Sequence, residues 1–244
     1  KDLTSNFLKL SKLITEPIGD SSIIPTYIIH NKIKEHSNVS LGGDGGDETF
    51  FGYITFDAYY LALKLKKIFP NSLLKILSKI VGSPKFSDEY LTFSTKLRKF
   101  FSSIHLNSKY LLPAWMGCLS VQDMGNLFDE QISVDDIYDD LNNIYTQDLN
   151  LMRSAQLYYF KFYLPMILAK VDQASMLNSV ENRSPFLSKK IINFSLDHDV
   201  KKLYKFFKKK YFLRKTFSSI VPKEVLNRKK HGFAFPKEIL LQDK

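Results

Sequence analysis

Apolar and polar residues follow helical spacing along most of this chain, and the interruptions mark where its structure changes. Residues 7–14 carry apolar side chains at intervals of three and four and run into Glu16-Pro17, where proline ends or redirects a helix. Asp20-Ser21-Ser22 then offers an N-cap. Pro25 falls in the following first turn, where its missing N–H costs little, and Ile24, Tyr27, Ile28 and Ile29 carry a second helix to about His36. Residues 38–41 are too short for a helix and read as the end of a buried strand. Further helices are predicted over 56–69 and 72–81, separated at Pro70-Asn71, and from a cap at Ser87-Asp88-Glu89 to about Ile104. The segment 110–119 holds Trp115 and is expected to break at Pro113, and an apolar helix is expected over 164–176. Residues 129–148 are acidic. Residues 201–215 are strongly basic, and their interleaved Tyr204, Phe206, Phe207, Tyr211 and Phe212 fall at helical spacing, which predicts a solvated basic helix with a buried aromatic face.

The strand at 38–41 runs directly into Gly42-Gly43-Asp44-Gly45-Gly46-Asp47-Glu48, followed by Thr49-Phe50-Phe51-Gly52-Tyr53. Glycine tolerates positive φ and lets backbone N–H groups approach a ligand closely. A loop that only cradled phosphate would avoid three negative charges. Asp44, Asp47 and Glu48 therefore point to a divalent metal or to proton transfer. An ordinary surface turn is the plain alternative, but bulky residues on both sides bury the loop's ends. A calcium loop lacks the required twelve-residue spacing. Helix, strand, acidic glycine loop and helix make half of a parallel α/β unit, and open α/β sheets bind ligands at the carboxyl ends of their strands. No internal repeat or low-complexity linker divides the 244 residues, so the expectation is one domain, mostly helical around a small parallel sheet.

With 44% hydrophobic residues the chain is globular rather than disordered. Its formal charge of +10 admits nucleic acid, membrane surfaces and small anions as partners. The positive charge is nearly all lysine, with arginine only at positions 98, 153, 183, 214 and 228, whereas bidentate readout of bases or phosphates favours arginine. Nucleic acid is accordingly disfavoured. A single cysteine, Cys118, forms no internal disulfide and points to a reducing, cytoplasmic compartment. Its neighbours Trp115, Met116 and Leu119 suit a buried thiol better than a nucleophile. No apolar run reaches the length of a membrane span, and Pro165 interrupts the best candidate. Lys1 is neither an initiator methionine nor part of a secretory signal, so the chain is expected to begin within a longer protein.

Two later stretches bear chemistry. In residues 164–176, Lys170, Asp172 and Ser175 interrupt an apolar helix and are costly to bury unless paired. With Glu181 and Arg183 ahead of Ser184-Pro185-Phe186-Leu187, they form either an ion-pair network or substrate contacts, and both readings stand. Residues 227–233, Asn-Arg-Lys-Lys-His-Gly-Phe, form a basic loop suited to polyphosphate, although a solvated basic turn has the same composition.

Taken in this order, the stretches resemble the synthetase domain of the glutamine-hydrolysing asparagine synthetase family. That family carries Leu-Ser-Gly-(Asp/Glu)-Gly-(Gly/Ser)-Asp-Glu followed by Phe-Gly-Gly-Tyr, matched here by residues 41–48 and by Phe51-Gly52-Tyr53. Its Lys-x-Asp-(Arg)-x-Ser-Met and Glu-x-Arg-Ser-Pro-Phe-Leu elements match residues 170–187. Its Arg-x-Lys-x-Gly-Phe element matches Arg228, Lys230, Gly232 and Phe233, and the similarity runs from about Glu16 to Pro236. The resemblance implies an adenine-nucleotide α-hydrolase-like (PP-loop) α/β fold. It also implies a ligase that uses ATP and Mg²⁺ to adenylate an aspartate side chain, releasing pyrophosphate, before ammonia from glutamine displaces AMP. Position by position, it implies that Gly42 and Gly43, with Leu41 beside them, touch the adenylate portion. Asp47 shares the Mg²⁺, Asp44 sits by the reacting acyl group, and Lys230 stabilises the departing pyrophosphate. Glu48, Glu181, Arg183, Lys170 and Asp172 support the pocket.

The chain departs from the pattern at Gly42, where serine is usual, at Gln173, where arginine is usual, and at Asn182, where a small apolar residue is usual. The family's Ser-Gly-Gly-x-Asp-Ser pyrophosphate loop and its glutaminase domain with a leading cysteine normally lie upstream of these residues. Residues 1–244 are therefore expected to be the C-terminal portion of a synthetase domain, inactive with ATP by themselves. A homodimer is compatible with the resemblance. Rival readings are an amidotransferase acting on a sugar acid or a peptide carboxylate, and a basic non-catalytic module that binds nucleic acid through residues 201–215.

Overall fold

The structure is a computed structural model, and it describes residues 2–14, 18–82, 92–117, 127, 133–145 and 149–228. The expected motifs at Glu16-Pro17, Ser87-Asp88-Glu89, Cys118 and Lys230 lie outside these residues. The chain divides into two compact units, one of residues 1–50, 160–198 and 210–244, the other of residues 51–159 and 199–209.

The first unit is built on one parallel strand pair. β1 (Val39–Leu41) lies beside β2 (Glu181–Arg183), with Ser40 opposite Asn182. The helices Ile23–Lys34 and Leu164–Met176 pack together, and each leads towards one of the strands. Leu10, Ile23, Ile24, Tyr27 and Ala174 form the buried cluster, with Phe7, Ile14, Ile18, Ile28 and Leu177 against it. Phe7, Leu10, Ile14, Ile24, Tyr27 and Ile28 lie where the helical spacing predicts a buried face, whereas Ile29 is 43% exposed. Polar ties hold the pair in register: Asn178 donates its amide to Tyr27 O at 3.2 Å, and Lys34 Nζ reaches Asn38 Oδ1 at 2.8 Å and Ser179 O at 3.2 Å. The strand at 39–41 is shorter and wetter than its sequence suggests. Val39 and Leu41 are 41% and 76% exposed, because alternate residues of a strand face opposite ways and only Ser40 turns inward.

The second unit is helical. Helices Ile54–Ile68, Asn71–Val81, Phe93–Ser103 and Leu111–Met116 surround fully buried Phe56, Tyr59, Ala62, Leu111 and Leu112. Lys66 donates to the carbonyls of Ile104 and Leu106 at 2.8 and 2.6 Å, closing the end of the Phe93–Ser103 helix. Thr92 caps that helix by accepting the Thr95 N–H at 3.2 Å. Pro113 does not break its segment: it lies in the first turn of Leu111–Met116, where no intrahelical N–H is lost.

The basic run is not the single helix its spacing predicts. It forms two short helices, Val200–Leu203 and Tyr211–Thr216. Phe207 and Lys210 between them have φ of 57° and 50°, a left-handed backbone that no α-helix continues. Asp57 explains the first turn, since its Oδ1 accepts the Tyr204 hydroxyl at 2.8 Å and the Phe207 N–H at 3.1 Å. Burial first, and then that carboxylate, raise the Tyr204 hydroxyl above the usual phenol range.

Candidate active site

The acidic loop leaves β1 at its carboxyl end and turns into a single helical turn, Gly46–Thr49. Three of its four glycines have reasons internal to the fold. Gly45 adopts φ +81°, and a Cβ there would lie 2.1 Å from Leu187 Cδ2. A Cβ on Gly46 would meet Phe186 Cδ2 at 3.1 Å. One on Gly42 would meet Asn182 Nδ2 at 2.6 Å and Asp44 Oδ2 at 2.8 Å. The Ser-Pro-Phe-Leu turn thus packs directly on the loop's backbone. Gly43 differs: among the described residues nothing lies within 4 Å of its missing Cβ. No described residue fills the space before its backbone, where a ligand can approach closely.

Parallel pairing brings residues from the two ends of the sequence motif together. Gly42 N–H donates to Arg183 O at 2.8 Å. Asp44 Oδ2 accepts from Asn182 Nδ2 at 3.3 Å and from Ser184 Oγ at 3.4 Å, and Ser40 Oγ donates to Asn182 Oδ1 at 2.9 Å. Ser195 Oγ donates to Thr49 O at 2.7 Å and pins the turn from the helix Lys189–Asp197. Phe50 completes the support, edge-on to Phe186 and stacked on Phe212.

Asp44, Asp47 and the glycines share this loop, and Leu41 leads into it with its side chain exposed. Glu48 is 1% exposed and belongs to the interior. Glu181 and Arg183 are not directed at the carboxylates. They pair with each other in solvent at 2.9 and 3.2 Å, because residues two apart on a strand share a face, while Asn182 between them turns to the loop. The Arg183 hydrogen bonds hold Glu181 below the usual carboxylate range and raise Arg183 in turn. Lys170 resolves to an ion pair. Its ammonium, on a side chain only 9% exposed, reaches Asp20 Oδ2 at 3.0 Å and Ser22 Oγ at 2.8 Å. Burial raises the Asp20 carboxyl, but hydrogen bonds from Ser22 and Lys170 outweigh it and leave the group lowered. Ser22 Oγ, engaged by Lys170, makes no side-chain cap of the helix it precedes. Asp172 is exposed, and its carbonyl accepts from Ser175 Oγ at 3.1 Å.

Sequence reasoning assigns no site role to Asn182, Ser184 or Lys210. Lys210 Nζ lies 3.2 Å from Asp47 Oδ1. Nothing in the composition separates it from its lysine neighbours, and its backbone is left-handed, with φ 50°. Among the described residues no three of His, Cys, Asp and Glu cluster to hold a metal ion on their own. That donor set still suits Mg²⁺, which takes one or two protein carboxylates and completes its shell with water and substrate phosphates. No described helix is long and apolar enough to cross a membrane.

A parallel strand pair that opens into an acid-bearing glycine loop, flanked by helices, defines an α/β domain with its candidate site at the carboxyl strand ends. The chain belongs to the asparagine synthase family, whose model matches residues 1–242. It is 30% identical over 236 residues to asparagine synthetase [glutamine-hydrolyzing] 1 of Bacillus subtilis (strain 168), covering 91% of this chain and 34% of that protein. It is 25% identical over 235 residues to a putative asparagine synthetase [glutamine-hydrolyzing] of Mycobacterium tuberculosis (strain ATCC 25618 / H37Rv), covering 91% of this chain and 33% of that protein. Amidase chyE of Penicillium rubens is 24% identical over 220 residues, covering 82% of this chain and 32% of that protein. The chain therefore spans only 32–34% of the length of these relatives. No solved structure matches it significantly.

Proposed function

We propose that this chain is the C-terminal portion of the synthetase domain of an ATP-dependent amidotransferase with a PP-loop fold, whose upstream part supplies the pyrophosphate loop and a glutaminase. The observation that carries this reading is the convergence of β2 and its Ser-Pro-Phe-Leu turn on the acidic loop, which leaves Gly43 open beside Asp44. In the reaction, an aspartate side-chain carboxylate oxygen bonds to the α-phosphorus of ATP as the α–β phosphoanhydride breaks and pyrophosphate leaves. Ammonia then attacks the acyl carbon, AMP departs with the bonding electrons, and the nitrogen loses a proton to give asparagine.

In this scheme Leu41, Gly42 and Gly43 border the nucleotide, with the bare backbone of Gly43 allowing the closest approach. Asp44 orients the acyl group. Asp47 is the residue that would hold Mg²⁺, which when bound neutralises phosphate charge. Lys230 neutralises the pyrophosphate as it leaves. Glu48, Lys170 and Asp172 serve by fixing the loop and the helix behind it, while Glu181 and Arg183 shape the outer face of β2. A second reading keeps adenylation and changes the acceptor to another carboxylate; it draws support from the similarity to a relative named an amidase. A cytoplasmic homodimer is compatible with either. In the full-length protein, pyrophosphate release on ATP should depend on aspartate, or on the other acid, and Asp47→Asn should abolish it. Stability should change by no more than about 1 kcal/mol in that variant, because the Lys210 pair it breaks is partly solvated. Full turnover by Asp47→Asn, together with salt-sensitive nucleic-acid binding, would instead favour a non-catalytic basic module.

A further inference from the structure

We infer that Asn182 is a positioning residue for Asp44 and that Gly42 is glycine in order to leave room for it. This rests on the site proposed above but names a constraint within it. The φ of Gly42 lies outside the left-handed region, so the backbone itself accepts an L side chain there. What forbids one is the Asn182 amide, whose Nδ2 and Oδ1 lie 2.6 and 3.0 Å from the position a Cβ would take. That amide has a settled orientation. The acceptor-only Asp44 carboxylate faces its Nδ2–H₂ at 3.3 Å, and the amide Oδ1 is thereby left to accept the Ser40 hydroxyl at 2.9 Å. The flipped amide would set oxygen against carboxylate oxygen.

Ser184 Oγ reaches the same Oδ2 at 3.4 Å, so both donors gather on one oxygen. Oδ1 has no hydrogen bond among the described residues and is left for a substrate. The Gly42 Cβ position is also 2.8 Å from Asp44 Oδ2, so a side chain at 42 would displace the amide and the carboxylate together. Positions 42 and 182 therefore behave as one unit, in which a side chain at one requires a small residue at the other. The two positions are also places where the chain departs from the pattern it otherwise resembles.

The test is a double-mutant cycle in the full-length protein: Gly42→Ala, Asn182→Ala and the pair together, with Asn182→Asp as the same-shape variant that lacks the donor. Pyrophosphate release with ATP and aspartate gives kcat and KM, and thermal melts report folding. Asn182→Ala and Asn182→Asp should each lower kcat by about ten- to a hundredfold, the value of a hydrogen bond to a charged group, with KM for ATP nearly unchanged. Gly42→Ala should lose more activity and lower the melting temperature, and adding Asn182→Ala should restore the melting temperature and part of kcat. Additive losses in the cycle would overturn the pairing, and unchanged kcat in Asn182→Asp would overturn the positioning role. Should the wild-type protein release no pyrophosphate with any acid tried, the ligase reading fails by itself. The melting-temperature cycle then still decides whether positions 42 and 182 are coupled.

Discussion

Replacing Gly45 with alanine isolates the way this loop is held. The substitution meets two separate penalties. Its φ of +81° places an L residue in the left-handed region, at a cost of roughly 1–2 kcal/mol. The new methyl would also sit 2.1 Å from Leu187 Cδ2, an overpacking that costs about 1–3 kcal/mol once the neighbour shifts. The total expected loss is about 2–5 kcal/mol in urea unfolding, read as a lower midpoint at unchanged slope. The two parts separate in a cycle with Leu187→Ala. Truncating the leucine removes the clash and leaves the backbone strain, so the double variant should be more stable than the sum of the single losses by about 1–3 kcal/mol. Gly43→Ala is the internal control, because no described residue lies within 4 Å of its Cβ position. It should change stability by no more than about 0.5 kcal/mol while impairing ATP-dependent turnover. A Gly45→Ala loss below about 1 kcal/mol, or an additive cycle, would refute the reasoning.

Three further outcomes are expected. Lys170→Met leaves Asp20 without its ammonium and should destabilise the chain by about 3 kcal/mol at neutral pH. Because the folded Asp20 carboxyl is lowered from 3.8, its contribution is present above that value and is lost as pH falls below it; acid-unfolding curves of wild type and variant should therefore converge in that range. His105 is lowered from 6.5 by burial first and then by Lys75 and Lys66, so the fold favours its neutral form. Its stabilising contribution is present above 6.5 and is lost on acidification, and His105→Asn should flatten the fall in melting temperature between about pH 6.5 and 5. Tyr204→Phe removes the hydroxyl that Asp57, itself 5% exposed, accepts at 2.8 Å, and should cost about 1.5–3 kcal/mol in denaturant unfolding.

The helices were legible because helical spacing reports the face a helix buries, as Ile24 and Tyr27 show. The loop was legible because glycines and acids at a strand end have few other uses. What could not be read was set by partners distant in sequence. Residues 201–215 carry a helical pattern, yet Asp57 takes hold of Tyr204 and Phe207 some 150 positions away and turns the chain. Glu181 and Arg183 drew notice as charges, but strand alternation sends them to solvent and gives the inward place to the less conspicuous Asn182. Lys210 stands beside identical residues, and its place 3.2 Å from Asp47 leaves no local mark in the sequence. The partners of Lys170, Asp20 and Ser22, lie some 150 positions earlier, and no local pattern in the sequence announces them.

The pairing of Ser40 with Asn182 spans 142 positions, and this has a consequence for biosynthesis. A ribosome adding roughly 5–20 residues per second needs about 7–28 s to produce the second partner after the first has emerged. Throughout that interval the acidic turn exists without the residues that clamp it, and the second unit too still lacks residues 199–209. Assembly of the candidate site is thus a late, post-emergence event. Newly made chains arrested before position 181 should be the species most in need of chaperone protection.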